Sequence, residues 1–526
     1  MPDVSQISGF EWSKLAKEAF EKADGDVGEM VSVLAGRMSQ TMPGGRVASA
    51  FAAGVAELAS YAVSEVGKNS DAIDAEVDAV EVSKRCVRPM LEAKLQDRLN
   101  RMDAETRGRT TCVNNCGNNA ASHGRPSRVW GSSLGAIELQ RRYRHCESCG
   151  VGSHPSEVAL GLPEGEFTAR LEEMVTMIAA TVPHAMARKL AQKLCGIDVS
   201  VKAIEDMVAG RASKVRALID TEAKLCKAYE KPGGLPVIDQ QRPEDCCADV
   251  PEVAYMEIDG VLPITREEKT GDDLTAAERK AQAQAKAEGA RGGKGRKYNI
   301  VGREVKNAVL YTAKDCVEQS PSRGCLLDKT YVSYLGTWTV FALHLWAGML
   351  RQRFDEAKLL VILSDGADWI RSLAEWIPVP VLLILDLYHV HKRIWEVANV
   401  MYGDKTSAAA AWARTQCARV EAGQARDVLS ALRFLTPKQA KAKKLVDALH
   451  IYITNNLDRM KYPEYKARGL RITSGVVESA NFHVTGARLK LQGMRWSEAG
   501  AAGMAVLRAD LFNDRWEQRT RELLAS

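Results

Sequence analysis

The sequence predicts a multidomain α+β protein: a helical N-terminal region, a small cysteine-bearing β module and a helical pair precede an α/β domain. Three observations indicate this architecture. The 526 residues exceed what one ordinary hydrophobic core accommodates. Apolar residues recur at every third or fourth position through the first hundred residues. Strand-like and helix-like segments alternate from about residue 250 onward.

The composition is that of a globular protein. Hydrophobic residues make up 46% of the chain and charged residues 26%. No apolar run approaches the roughly 20 residues that cross a bilayer, and the first residues lack the basic and apolar regions of a signal peptide. We therefore expect a cytoplasmic protein without membrane contact. A net charge of +5 permits nucleic-acid binding without requiring it.

The N-terminal region, residues 1–108, has helical periodicity and no cluster of chemically reactive residues. Segments such as AFAAGVAELASYAV repeat apolar residues at helical spacing. They predict a packing or dimerisation element rather than a site.

The second module, residues 109–160, is rich in Gly, Asn and Ser, and strand-like runs flank a Gly-containing turn. Four of the twelve cysteines have ligand spacing: Cys112, Cys116, Cys146 and Cys149. Such pairs can hold Zn²⁺ tetrahedrally and thereby stabilise a module too small for its own core. Free thiols are the alternative, and His154 could replace one thiolate. A zinc ribbon of this kind would be structural and would identify a module, not an activity.

Residues 161–235 return to helical periodicity, with a break at residues 196–198 and a second helix starting near Ser200. This order is typical of a helix-turn-helix DNA-binding domain, and its candidate DNA-facing charges are Lys202 and Arg211. A helical hairpin that binds nothing has the same pattern.

Residues 248–526 read as three meandering strands followed by β-α-β units, which predicts an α/β domain with a mixed sheet. Two insertions interrupt it. The first, near 274–297, is a basic, helix-prone run with a Gly-rich tail, and we interpret it as a protruding hairpin. The second, near 405–467, is helical.

Three aspartates stand where strands of this domain end. Asp259 ends AYMEIDG, Asp365 closes KLLVILSDG and Asp386 closes VPVLLILD. Sheets of this class place their sites at the carboxyl ends of strands. Each aspartate also has an ordinary explanation, because Asp-Gly forms turns and a strand-end Asp often caps a helix.

Glu478 completes a candidate acidic triad with Asp259 and Asp365. It lies in TSGVVESAN, in the first turn of a predicted helix, where the helix dipole alone would favour it. Three carboxylates on two strands and one helix can hold two Mg²⁺ ions about 4 Å apart for phosphoryl transfer.

Several longer runs carry a family resemblance. The stretches MEIDGV, LSDGADWI, LDLYHVHKRI, SGVVESAN and RLKLQGMRWSEAGA closely resemble the Kra branch of bacterial insertion-sequence DDE transposases, relatives of the Mutator-like group. The resemblance runs from the cysteine pairs to the end of the chain. It implies an RNase H-like catalytic core whose acidic triad matches Asp259, Asp365 and Glu478.

The resemblance also implies residues around the triad. Asp386 and His389 match the Cys-or-Asp, two residues, His motif of related groups, so we expect an auxiliary pair near the site. Asp386 is then the rival for the second catalytic position. Basic and aromatic residues after Glu478 are candidate DNA contacts: Arg488, Lys490, Arg495 and Trp496. Trp496 could wedge or stack on a flipped base, and its alternative role is core packing.

The function that the resemblance implies is DNA transposition. Mg²⁺ or Mn²⁺ would be the catalytic cofactor, and the substrates would be double-stranded transposon ends and target DNA. A homodimer or larger assembly, associated with the bacterial nucleoid, is expected. A non-catalytic DNA-binding regulator or domesticated transposase, and an RNase H-like nuclease without strand transfer, are the alternatives.

Overall fold

The computed structural model describes residues 45–63, 72–105, 110–227, 249–270, 273–287, 297–320 and 323–525, besides the isolated positions 21, 29 and 33. The chain divides into two compact units. The first comprises Met1–Ile178 with His184–Ile204, and the second Ala179–Pro183 with Glu205–Ser526. The helical stretch predicted as a separate domain, 161–235, is thus divided between the two units. No helix in the described ranges is long and apolar enough to cross a membrane.

The first unit begins with two packed helices, α1 (Gly45–Val63) and α2 (Ala72–Glu105). Gly54 allows α1 to approach α2 closely, because a Cβ there would lie 2.9 Å from the carbonyl oxygen of Cys86. The helical prediction for this region is confirmed for these ranges. The remainder of residues 1–44, apart from the three isolated positions, lies outside the described residues.

The cysteine-bearing module contains six short strands: β1 (Thr110–Thr111), β2 (Asn119–Ser122), β3 (Ser127–Ser132), β4 (Gly135–Gln140), β5 (Arg144–His145) and β6 (Gly152–Ser153). Strands β1, β2, β5 and β6 form one sheet, and β3 pairs with β4 in a hairpin. The hairpin buries Trp130, Ile137 and Leu139 against Leu99 of α2. This small apolar cluster attaches the module to the preceding helix.

Four helices follow: α3 (Pro155–Ala159), α4 (Ala169–Thr181), α5 (His184–Cys195) and α6 (Val201–Lys227). Helix α5 ends at Gly196, whose positive φ of 61° suits a residue without a side chain. The two predicted helices are therefore present. Helix α6 begins at Val201, next to the predicted start near Ser200, and has 27 residues.

The second unit is built on a mixed sheet. Its elements up to the last central strand are β7 (Val253–Val261), β8 (Ile264–Glu268), α7 (Ala276–Ala287), β9 (Tyr298–Gly302), β10 (Val305–Thr312), β11 (Cys316–Ser320), β12 (Arg323–Leu326), β13 (Thr330–Leu335), α8 (Trp338–Arg351), β14 (Leu359–Ser364), α9 (Trp369–Trp376) and β15 (Val381–Leu385). The central sheet has the order β13-β10-β7-β14-β15. Strand β10 is antiparallel to β7 and β13, whereas β14 is parallel to β7 and β15. The three meandering strands and the mixed sheet that the sequence predicts are present.

Both faces of the central sheet are covered, which explains why its strands are almost continuously apolar. Met256 and Ile258 pack on one face with Phe341 of α8. Tyr255 lies on the opposite face, where it packs with the helices that follow β15. The two faces thus belong to different cores, and the carboxyl ends of β7, β14 and β15 meet at one edge.

The first insertion leaves through β8 and returns through β9, which pair antiparallel, and α7 lies between them. Its Gly-rich tail, 288–296, lies outside the described residues. The helices after β15 are α10 (Leu387–Tyr402), α11 (Ser407–Glu421), α12 (Ala425–Arg433), α13 (Ala440–Asn456) and α14 (Tyr462–Ala467). The stretch near 405–467 is helical, as the sequence predicts.

The chain then returns to the sheet edge. Helix α15 (Gly475–Ala480) continues into a π-helical segment, Asn481–Gly486, followed by α16 (Ala487–Leu489), α17 (Glu498–Phe512) and α18 (Trp516–Ala525). Gly486 fits the wide π turn, because a Cβ there would lie 2.9 Å from the carbonyl oxygen of Asn481. Single π turns of this kind often occur at functional sites.

Candidate active site

Three aspartates form one row across the carboxyl edge of the sheet. Ser364 of β14 pairs in parallel register with Ile258 of β7 and Leu385 of β15. The next residue on each chain segment is an aspartate: Asp259, Asp365 and Asp386. The negative charges of Asp365 and Asp386 both act on Asp259, so the three carboxylates lie near one another at this edge.

Asp259 is held by a chain of amide hydrogen bonds. The side-chain amide of Asn481 donates to Oδ2 of Asp259 at 2.6 Å and accepts from Nδ2 of Asn307 at 2.7 Å. Ser333 and Thr485 donate to the oxygen of Asn307 at 2.6 and 3.1 Å. Since every member of this chain is bonded, the orientation of Asp259 is set before any ligand binds.

The electrostatic environment of Asp259 disfavours its charge. Burial raises the pKa of Asp259, and the negative charges of Asp365 and Asp386 raise it further, whereas His389 opposes this. The carboxylate is partly buried and has no Lys or Arg ion pair among the described residues. It therefore lies where a cation would be stabilising.

Glu478 faces the same group of acids from the first turn of α15. Burial raises its pKa, and the negative charges of Asp386 and Asp259 raise it further, although His389 and Lys392 lower it. Within the described residues, its carboxylate makes no side-chain hydrogen bond. Glu478 is therefore electrostatically coupled to the row and keeps its oxygen lone pairs available.

Asp386 differs from Asp259 and Asp365 in its burial and in its hydrogen bonds. It is fully buried, and both oxygens are occupied: Oδ1 accepts from the N–H groups of Tyr388 and Ser474, and Oδ2 from the N–H and the ring of His389. The ring contact, from Nδ1 of His389, measures 2.6 Å. Burial raises the pKa of Asp386, but the bonds from His389 and Ser474 outweigh it and lower that pKa overall. Asp386 is thus the N-cap of α10 and the anchor of His389.

Asp365 and Asp386 are the two candidates for the second acidic position, and Asp365 accepts fewer hydrogen bonds. Its carboxylate accepts the N–H of Ala367 at 3.2 Å, and the described residues supply no other hydrogen bond to it. A metal ligand needs free oxygen lone pairs, which Asp365 retains and Asp386 does not. The geometry therefore favours Asp365 as the second acidic ligand, whereas Asp386 is bonded to His389.

The fit of these carboxylates to divalent ions follows from their donor chemistry. Carboxylate oxygens are the donors that hard cations such as Mg²⁺ prefer. The side chains of Asp259, Asp365 and Glu478 do not all lie within 4.8 Å of one another. The residues thus match the ions in donor chemistry, whereas their side chains are not gathered into a closed metal cluster in this structure.

The N-terminal cysteine cluster is already close-packed. The sulfurs of Cys112 and Cys149 are 3.4 Å apart, those of Cys116 and Cys146 are 3.6 Å apart, and all four lie within 4.8 Å of one another. Both distances exceed the S–S length of a disulfide bond and approach the roughly 3.8 Å between the sulfur atoms of thiolates around tetrahedral zinc. Nδ1 of His154 instead contacts the carbonyl of Arg142 at 3.1 Å. The four cysteines could hold a metal ion such as zinc.

The candidate DNA contacts after Glu478 differ in exposure. Lys490 and Arg495 are exposed. Arg488 is buried, and its guanidinium donates to the carbonyl of Ala179 at 3.1 Å. This corrects the expectation for Arg488, because its charge holds the chain itself and is not presented to a DNA backbone.

Trp496 is half-buried and tied to the first insertion. Its main-chain N–H donates to the carbonyl of Ile264 at 3.0 Å, and its carbonyl accepts from the main-chain N–H of Arg266 at 2.7 Å. Its ring lies beneath the guanidinium of Arg488, 4.8 Å from the ring centre. These contacts agree with its packing alternative more than with a free wedge.

The two candidate DNA-facing residues on α6, Lys202 and Arg211, also differ in their surroundings. Lys202 is exposed in the first turn. The guanidinium of Arg211 lies 4.1 Å over the ring of Trp516 and donates to the hydroxyl of Thr520 at 2.9 Å. The structure therefore places Arg211 in an internal packing role, contrary to the expectation that it faces DNA.

Glu257 and Asn481 are the site residues to which the sequence assigns no role. Glu257 lies two residues before Asp259, so period-two alternation places both on one face. Asn481 lies three residues after Glu478, one helical turn along the same side. These two spacings are the sequence signals that could have indicated a role for Glu257 and Asn481. The hydrogen-bond partners that show the role, however, are more than 170 residues away in the chain.

Comparison with known proteins identifies part of the second unit. Residues 338–522 match the model of UPF0236, an uncharacterised protein family. The matched stretch is about a third of the chain and contains Asp365, Asp386, His389 and Glu478, but not Asp259. None of the curated proteins matches the chain.

Proposed function

We propose that this chain is a DDE transposase, which cuts transposon ends and joins the freed 3′-hydroxyls to target DNA. The observation that carries the proposal is the row of aspartates on β7, β14 and β15, coupled electrostatically to Glu478 on α15. Structural ion pairs do not explain these acids, because no Lys or Arg among the described residues forms an ion pair with Asp259 or Glu478. Partly buried carboxylates that raise one another's pKa at a strand-end edge are typical of a catalytic site.

Asp259, Asp365 and Glu478 would hold the divalent ions. When bound, such ions lower the pKa of an attacking water or hydroxyl and neutralise charge on the phosphate. Asn481 orients the carboxylate of Asp259. His389, whose pKa is raised first by its bond to Asp386 and then by the surrounding acids, places a positive charge beside the row.

The strand order supports this proposal. Three antiparallel strands followed by two parallel ones are consistent with the RNase H-like core that the sequence resemblance implies. The family match extends over the tract around Glu478, where the resemblance has its most specific residues. The cysteine cluster and α6 would belong to the DNA-binding part of the enzyme, with double-stranded DNA as partner and a dimer or larger assembly to hold two ends.

The test is incubation with Mg²⁺ and labelled DNA from both flanks of the gene, where sequencing would locate inverted repeats of a mobile element. A transposase yields nicked ends and, with target DNA added, joined products. Binding without nicking would instead identify a regulator, and nicking without joined products a nuclease. The variant D259A separates the enzyme's own activity from a contaminant, because it should bind the ends but leave them uncut.

A further inference from the structure

A second buried carboxylate lies directly behind the acidic row. Glu257 belongs to the same strand and face as Asp259, and its exposed fraction is 0%. A buried charge is costly unless it is hydrogen-bonded, so its partners reveal what it stabilises.

The partners of Glu257 are the start of the helix that carries Glu478. Oε2 accepts the N–H groups of Val476 and Val477 at 3.0 and 2.9 Å. The first amides of a helix have no partner inside the helix, and they carry partial positive charge. The carboxylate on β7 therefore caps α15 in place of a local side chain, and Glu478 follows the capped residues directly.

An aromatic and basic frame supports the other oxygen. The hydroxyl of Tyr311 donates to Oε1 at 2.6 Å. Tyr255 stacks on Tyr311 with ring centres 5.1 Å apart, and Arg471 lies 5.7 Å from the centre of the Tyr311 ring. The main-chain N–H of Arg471 donates to the hydroxyl of Tyr255 at 3.3 Å. Glu257 thus has little freedom to move.

We propose that Glu257 is a positioning residue that sets the distance between Asp259 and Glu478 by joining β7 to the first turn of α15. The two acids come from segments more than 200 residues apart, and Glu257 connects them within two residues of Asp259 and one of Glu478. A misplacement of about 1 Å in an acidic site can cost roughly 100-fold in rate, so this connection controls the geometry on which the proposed function depends.

The test compares E257Q, which keeps one oxygen acceptor, with E257L, which keeps none, and with Y311F, which removes one donor. The matched control is T406A. Thr406 caps α11, in the helical insertion, by accepting the N–H of Ala409 at 3.1 Å. Losing that cap reports the general effect of an uncapped helix.

Three readouts are measured: amide exchange of peptides covering 475–481, Mn²⁺ affinity by calorimetry, and cleavage of labelled ends. We expect E257L to accelerate exchange in these peptides about tenfold and to weaken Mn²⁺ binding and cleavage about 10- to 100-fold. E257Q and Y311F should fall between E257L and wild type, and T406A should leave all three readouts unchanged.

The experiment still decides the role of Glu257 if one variant does not fold or if the protein cuts no DNA. If E257L does not fold, as judged by thermal melting, E257Q and Y311F carry the test alone. Wild-type exchange and Mn²⁺ affinity in both would overturn the proposal, and so would faster exchange without weaker Mn²⁺ binding. If wild-type protein binds Mn²⁺ but cuts no DNA, the proposed function fails while exchange and Mn²⁺ affinity still decide the role of Glu257.

Discussion

At the scale of single residues, the row of aspartates shows two kinds of carboxylate side by side. Asp386 is saturated with hydrogen bonds, whereas Asp365 accepts one main-chain N–H. Sequence alone could not separate them, because each ends an apolar strand before a helix. The distinction comes from Ser474, whose N–H reaches Asp386 from 88 residues away.

Exchanging each of these aspartates for asparagine separates their roles. D365N should reduce single-turnover cleavage by about 10³-fold or more, since it removes a charged ligand. D386N should reduce it by only about 10- to 100-fold, since it disturbs the orientation of His389. Cleavage rates over a range of Mg²⁺ concentrations measure both, and the reverse ranking would make Asp386 the catalytic residue.

The raised pKa of Asp259 predicts a pH-dependent effect on stability. Because burial and the neighbouring acids raise its pKa, the folded protein favours the protonated form, and stability is lost as the pH rises through the folded-state pKa. D259N should therefore melt at a higher temperature than wild type at pH 8 without divalent ions. The difference should shrink as the pH falls below the folded-state pKa, where both side chains are neutral. A lower melting temperature for D259N at pH 8 would show that the charge is not destabilising.

At the scale of elements, the sequence indicated most strands and helices but not their partners. Periodicity predicted β7, β14 and β15 and the helical insertion, because each pattern is local. The capping of α15 by Glu257 and the bond from Asn481 to Asp259 depend on tertiary register, which a single sequence does not contain. Arg488 and Arg211 were misjudged for the same reason, since burial of an arginine against a distant carbonyl or ring leaves no local pattern.

The cysteine module provides a prediction at this scale. We expect one zinc ion per chain, measured by elemental analysis, and release of that ion by a chelator should unfold residues 110–153, seen as faster amide exchange there. The variant C116S should bind zinc more weakly and melt at a lower temperature. Purified protein free of zinc but with full protection in this segment would show that the four thiols need no metal.

At the scale of the whole molecule, transposition requires two DNA ends in one complex. A mixture of the chain with element-end DNA should therefore give a complex of at least two chains and two ends, measured by light scattering after gel filtration. The exposed residues Lys490 and Arg495 test the contact with the DNA backbone. The variants K490A and R495A should weaken DNA binding and reduce its salt dependence. Efficient joining by a complex of one chain and one end would contradict this assembly.

The central claim, an acidic site for divalent ions at the carboxyl edge of the sheet, is tested most directly by anomalous diffraction from crystals grown with Mn²⁺. This measurement needs no knowledge of the DNA ends. We predict Mn²⁺ peaks bound by Asp259, Asp365 and Glu478, with Asp386 bonded to His389 and outside the coordination shell. Peaks bound by Asp386 in place of Asp365, or well-ordered crystals without Mn²⁺ at the row, would contradict the account.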